Sequence, residues 1–163
     1  MHYVWKHRIL PLGSLSTTDG RRVEVIDPGM HNHDGGPDFF NAKVLVEGIL
    51  WAGNVEIHLR SSDWFRHGHD TDAAYDGVVL HVVQDADCEV NNSQGRSIPQ
   101  VIMHIPDSLV QDYQSLLRTD EFPRCHRILP SIDPIRMHGW MDRLLVERLQ
   151  QRATLLLDRT KAF

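Results

Sequence analysis

The stretch GGPDFFNAKVLVEGILWAGNVEIHLRSSDW, residues 35–64, decides how the rest of the chain is read. Two runs rich in β-branched and aromatic residues, FFNAKVLVEG and LWAGNVEIHLR, flank Glu47-Gly48, a pair suited to a tight hairpin turn. In the second run Val55, Ile57 and Leu59 alternate with Asn54, Glu56, His58 and Arg60. That period of two turns one set toward a core and gathers ionisable groups on the opposite face. The hairpin's entrance, Gly35-Gly36-Pro37-Asp38, is a turn sequence that delivers an acid to the start of the first strand. Taken singly, Asp38 belongs to a turn and Glu56 to a surface polar face, paired with Arg60. Taken together, Asp38, Glu56 and His58 describe a metal or catalytic site.

Outward from the hairpin, RRVEVIDPG reads as a strand closed by a turn, and MHNHDGGP as a polar, glycine-rich loop. MHYVWKHRIL is compatible with a short N-terminal helix that PLG terminates. After the hairpin, Ser61 or Ser62 can cap a helix running toward Tyr75, although Gly68 weakens it. GVVLHVVQD is apolar on both faces, the pattern of a central strand. IPQVIMHIP is a short strand that Pro99 places at a sheet edge or strand start. DSLVQDYQSLL predicts a helix, and from Ile135 the chain reads as helical, with Met137, Trp140, Met141, Leu144, Leu145 and Leu149 forming a packing stripe. The expected organisation is an α/β core over 1–106 and a helical extension over 107–163. Because the last helix meets no Gly or Pro cap, it is expected to pack on a missing C-terminal region or on another copy in a homo-oligomer.

A chain of 163 residues, 41% of them hydrophobic, is long enough to enclose one core. The net charge of -5 argues against a broadly cationic nucleic-acid surface, although Lys6, Arg8, Arg21, Arg22, Arg60 and Arg66 can still form a local rim. No apolar run reaches the roughly 20 residues of a membrane span, and no signal peptide is legible, so the expected location is the cytoplasm. Cys88 and Cys125 are read as free thiols. The unusual number is eleven histidines.

The order helix, strand, strand, strand, helix, strand, with Pro37-Asp38 before one strand and Glu56-Ile57-His58 within the next, resembles the PD-(D/E)xK nuclease superfamily. That resemblance implies a restriction-endonuclease-like α-β-β-β-α-β core with a mixed sheet. It implies a nuclease cutting DNA or RNA with Mg²⁺ or Mn²⁺, held by Asp38, Glu56 and the backbone carbonyl of Ile57. His58 stands where the superfamily has lysine, and Glu24 or Asp27 would be the upstream acid. The chemistry is sound, since hard cations select oxygen ligands and help both the attacking water and the leaving oxygen of a phosphodiester. An imidazole can accept a proton from water or, protonated, replace an ammonium. A non-catalytic module for nucleic acid or protein is the alternative on the same fold. Separately, GGPDFFNAKV, LWAGNVEIHLRSSDW and RHGHDTDAAYDGVVLHVV resemble an uncharacterised bacterial domain-of-unknown-function family over most of the first 105 residues.

A rival site lies in RHGHDTD. His67, His69 and Asp72, with His58, suit a zinc-dependent hydrolase, because imidazole and carboxylate are zinc ligands. On a continuous helix His67 and His69 diverge, so the rival needs Gly68 to break it. Otherwise both are solvated residues at a helix end or contact a substrate. His81, inside an apolar strand, reads as a hydrogen-bonded core histidine or as support for Glu56 or His58. Trp51 and Trp64 read as packing residues, with base stacking the alternative.

Overall fold

The computed structural model describes residues 1–9, 15–118 and 129–161, so Cys125 lies outside the described residues. The first of two compact units, Met1–Pro106, begins with a short helix α1 (His2–Lys6) and continues through β1 (Leu15–Ser16), β2 (Arg22–Asp27), β3 (Met30–His31), β4 (Phe39–Val46) and β5 (Ile49–Arg60). A one-turn helix α2 (Asp63–Arg66) and a 3-10 turn, Ala73–Tyr75, lead to β6 (Val78–Asp85) and β7 (Gln100–Ile102). The class is mixed α/β, and the helix and strand order read from the sequence is present, with the two-residue strands β1 and β3 added.

The hairpin forms where its alternation demands. Val46 pairs with Ile49 across Glu47-Gly48, whose φ angles of 50° and 78° match the left-handed pair of a primed hairpin turn. The sheet order is β1-β2-β4-β5-β6-β7, with β3 also on β4. Every pairing from β1 to β5 is antiparallel, whereas β6 runs parallel to β5 and β7 parallel to β6. Parallel neighbours need a crossover that leaves the sheet and returns, so residues 61–77 must pass over one face of β5. At the far ends, Thr17 bridges Val101 and the Thr18 N–H bonds Gln100 O at 2.9 Å, so the two edges of the sheet meet.

Val23, Val44, Val55, Leu80, Val82 and Val83 are completely buried in the core. As its unbroken apolar run predicts, β6 is central. Two expectations need correction. The alternation places Leu59 on the core face, but it is 63% exposed because β5 has passed the core by that point. The helix expected from Ser61 or Ser62 to Tyr75 is not continuous: α2 stops at Arg66, and Gly68 adopts φ +74°, a left-handed conformation that ends a helix.

The second unit, from Asp107, contains α3 (Asp107–Arg118), a 3-10 turn (Leu129–Ser131) and α4 (Pro134–Lys161). Asp133 caps α4 by accepting from the N–H groups of Ile135 and Arg136.

Candidate metal centre

The polar face of β5 is not a surface. Glu56 is 5% exposed and His58 8% exposed, so the two ionisable groups sit where only partners or an ion can compensate their burial. Asp38 reaches them from the entrance to β4. Its N–H donates to Glu56 Oε2 at 3.0 Å, and its own Oδ2 accepts the Ile57 N–H at 2.9 Å. The chain therefore ties Asp38 to Glu56 by an exchange of backbone and carboxylate bonds. Ile57 enters that exchange through its N–H.

The crossover supplies the remaining imidazoles. The His69 N–H bonds Trp64 O at 3.0 Å and the Gly68 N–H bonds Phe65 O at 3.0 Å, the paired bonds of a Schellman helix end built around Gly68. This turn does what a helix could not: it aims His67 and His69 at the same place. Ligand nitrogens of His58, His67 and His69 all lie within 4.8 Å of one another. Glu56 Oε1 joins them at 3.4 Å from His58 Nε2 and 3.3 Å from His69 Nε2. The second contact lacks hydrogen-bond alignment, since His69 Nε2 is buried without a hydrogen-bond partner. His69 is further held by Tyr75, stacked at 3.7 Å, and by the edge-on Trp64. His58 and His69 are buried and His67 is exposed, so the group has a wet side.

The electrostatics follow from this crowding. Burial, and then the charge of Asp38, push the Glu56 carboxyl up to about 8. Burial, and then His69 and His67, push His58 down to about 4. His81 falls to about 3 through burial and the adjacent His58, and burial and His67 lower His69. Asp38 goes the other way. Burial raises it, but His2 Nε2 at 3.0 Å and the Ile57 N–H outweigh that, and the carboxyl is held below its ordinary range. Three imidazoles whose ring nitrogens converge beside a buried carboxyl form a donor set for a transition metal, and zinc in particular takes such nitrogen and oxygen ligands.

The other residues singled out from the sequence lie elsewhere. Glu24 is half-buried on β2 opposite Leu45, and Asp27 accepts from the Gly29 N–H in its own turn. Both are one strand removed from β5. Asp72 caps the 3-10 turn by accepting the Ala74 N–H at 2.9 Å. His81 is fully buried, with Nε2 2.9 Å from His58 Nδ1, so it is a core histidine and a support for His58 at once. Trp64 is fully buried, whereas Trp51 is 42% exposed. Sequence reasoning missed His2, which reaches Asp38 only because α1 docks through Trp5, whose Nε1 donates to Pro28 O at 3.0 Å. No local pattern around His2 signals that contact.

A mixed α/β unit with a buried imidazole and carboxylate cluster beneath its crossover is the class that fold and site define. The chain belongs to the family described as "Protein of unknown function (DUF2851)", which it matches over residues 1–163. No curated protein and no solved structure gives a significant match.

Proposed function

We propose that the protein is a metal-dependent hydrolase whose ion is held by His58, His67 and His69, with zinc the best-suited metal. The observation that carries this is the convergence of three imidazole nitrogens within 4.8 Å of one another beside the Glu56 carboxylate. Catalytic zinc sites commonly use three protein ligands and leave one position for water, whose pKa falls to about 7. The exposed side at His67 supplies that water's route. Glu56, buried and raised to about 8 without an ion, holds a proton near neutral pH; beside a bound cation it would ionise and could then accept a proton from that water. Tyr75 and Trp64 keep the rings in place and exclude water from the inner side.

Phosphodiesters are the second element of the proposal, and the nuclease-like order of elements supports it. The link between Asp38 and Glu56 supports a variant in which Mg²⁺ or Mn²⁺ binds at those two acids instead. Metal identity separates the two. Protein purified without chelators is expected to carry about one zinc per chain. It should then hydrolyse bis(p-nitrophenyl) phosphate or nucleic acid, and His67→Ala, at an exposed position, should lose metal and turnover while keeping its fold. Activity with Mg²⁺ or Mn²⁺ that survives His67→Ala and dies with Asp38→Ala selects the two-acid variant. Stoichiometric zinc with no turnover on any ester leaves a binding module, and no metal uptake at all removes the proposal.

A further inference from the structure

Trp51 stands on β5 in register with Val44, and Val44 in turn pairs with Val25, so its indole belongs to the face on which both valines are buried. It is nevertheless 42% exposed, because it lines an open cleft of about 730 Å³, a size within the ordinary range of ligand pockets. Val79, Ile98 and Pro99 give the cleft further apolar wall, and Arg21 and Arg96 bring two guanidinium groups to it.

The two cations are not equivalent. Arg21 Nε donates to both oxygens of Asp19, at 3.1 and 2.9 Å, so that pair neutralises itself. Asp76, the other acid of the cleft, gives its carboxylate to neutral donors, the N–H and hydroxyl of Ser93 and Nε2 of Gln94. Exposed Arg96 makes one side-chain bond among the described residues, from Nη2 to the Asp76 carbonyl oxygen at 3.3 Å. Its other N–H groups are open to a ligand. The turn that carries it is fixed by buried Asn92, whose Oδ1 accepts the Gln94 and Arg96 N–H groups at 3.1 and 2.9 Å. The backbone of Arg96 is thus set before any ligand arrives, which lowers the ordering cost of binding.

An uncovered indole beside a guanidinium with open donors suits a flat ring that carries an anion: the ring stacks and the anion takes charge-assisted bonds. With a net charge of -5 the chain cannot grip a strand through many phosphates, so stacking must supply most of the affinity. We infer that this cleft binds one nucleotide of a single-stranded nucleic acid, with the base on Trp51 and a phosphate at Arg96, and that such strands are the substrate class of the proposed hydrolase. A duplex, whose bases already stack on one another, does not offer a free base face. The inference rests on the phosphodiester reading above.

The test is fluorescence anisotropy of a labelled oligothymidylate titrated with the chelator-treated full chain, so that binding is read apart from metal and turnover. Trp51→Ala should bind about 5–150-fold more weakly, the scale of one lost base–aromatic stack, and Trp51→Phe should recover most of that loss. Arg96→Gln should reduce the slope of log affinity against log salt by about 0.7, the share of one phosphate. Leu50→Ala, at an exposed apolar neighbour outside the cleft, should bind as the wild type does. If Trp51→Ala does not fold, an abasic strand of the same length makes the same comparison on the wild type. Equal affinity for base-bearing and abasic strands, or no binding of either, overturns the inference and leaves metal uptake and ester hydrolysis standing. Binding with the expected pattern and no turnover of any phosphodiester upholds the cleft as a strand-binding site and removes the hydrolase reading.

Discussion

Replacing Glu56 with Gln should flatten the pH dependence of stability in the metal-free protein. The carboxyl is held near 8 in the fold against an ordinary value of 4.5. A group whose pKa is raised by folding contributes stability that is complete below the unfolded value and is lost as pH rises through the folded one. Each pH unit between those values costs about 1.4 kcal/mol. From about pH 6.5 to about pH 8 the wild type should therefore lose about 2 kcal/mol relative to Glu56→Gln, taken at order of magnitude. The depressed histidines do not interfere, because their effect lies below about pH 6.5. The assay is urea denaturation of chelator-treated wild type and Glu56→Gln across that window, comparing midpoints at constant m-value. A bound cation makes the ionised carboxylate the favoured form, so zinc should abolish the wild-type slope. Parallel pH profiles for the two metal-free proteins would refute the buried, proton-holding Glu56 described above.

Three further outcomes are expected. Because His58 and His81 are depressed to about 4 and about 3, their stability is present above the unfolded pKa and lost on acidification; between about pH 6.5 and about pH 4.5 each should cost about 2 kcal/mol against an opposing gain of similar size from Glu56, so His81→Phe should lose less stability than wild type over that window by about 2 kcal/mol in urea denaturation. Gly68→Ala meets no steric obstacle, since no atom lies within 4 Å of the added Cβ, but it strains a φ of +74°; a loss of about 1 kcal/mol, with weaker zinc binding, is expected by calorimetric titration and thermal melting. Gly53→Ala is steric instead, with the new Cβ 2.7 Å from Gly77 O, so the melting temperature should drop by an amount equivalent to about 1–3 kcal/mol.

Much of the sheet was legible because it rests on local pattern. The alternation in β5, the Glu47-Gly48 turn and the continuous apolar run of β6 each carry their own signal, and each element stands where that signal put it. The candidate centre was legible in its members more than in its arrangement. Asp38, Glu56 and His58 share a region because strand pairing forces it, and alternation alone put Glu56 and His58 on one face. That this face is enclosed was not legible, since the enclosure comes from the crossover, and a crossover's path depends on β6 being parallel to β5. The joint aim of His67 and His69 hinges on one glycine whose left-handed φ is a tertiary fact, although Gly68 marked the place to look. His2 and β1 had no local signature at all. Two-residue strands and a five-residue helix exist here only through what they touch.

The meeting of Thr17 with Val101 bears on how the folded chain behaves in a crowded solution. An open sheet offers its outermost strand as a template for strand addition by neighbouring chains. Here the outermost strands are two and three residues long and lean on each other through that bridge. The bridge and the Thr18–Gln100 bond take up part of their edge hydrogen bonding, which leaves less of that template to a neighbouring chain. Thr18→Pro, at an exposed position, removes the N–H that bonds Gln100 O and should expose part of that template and raise aggregation.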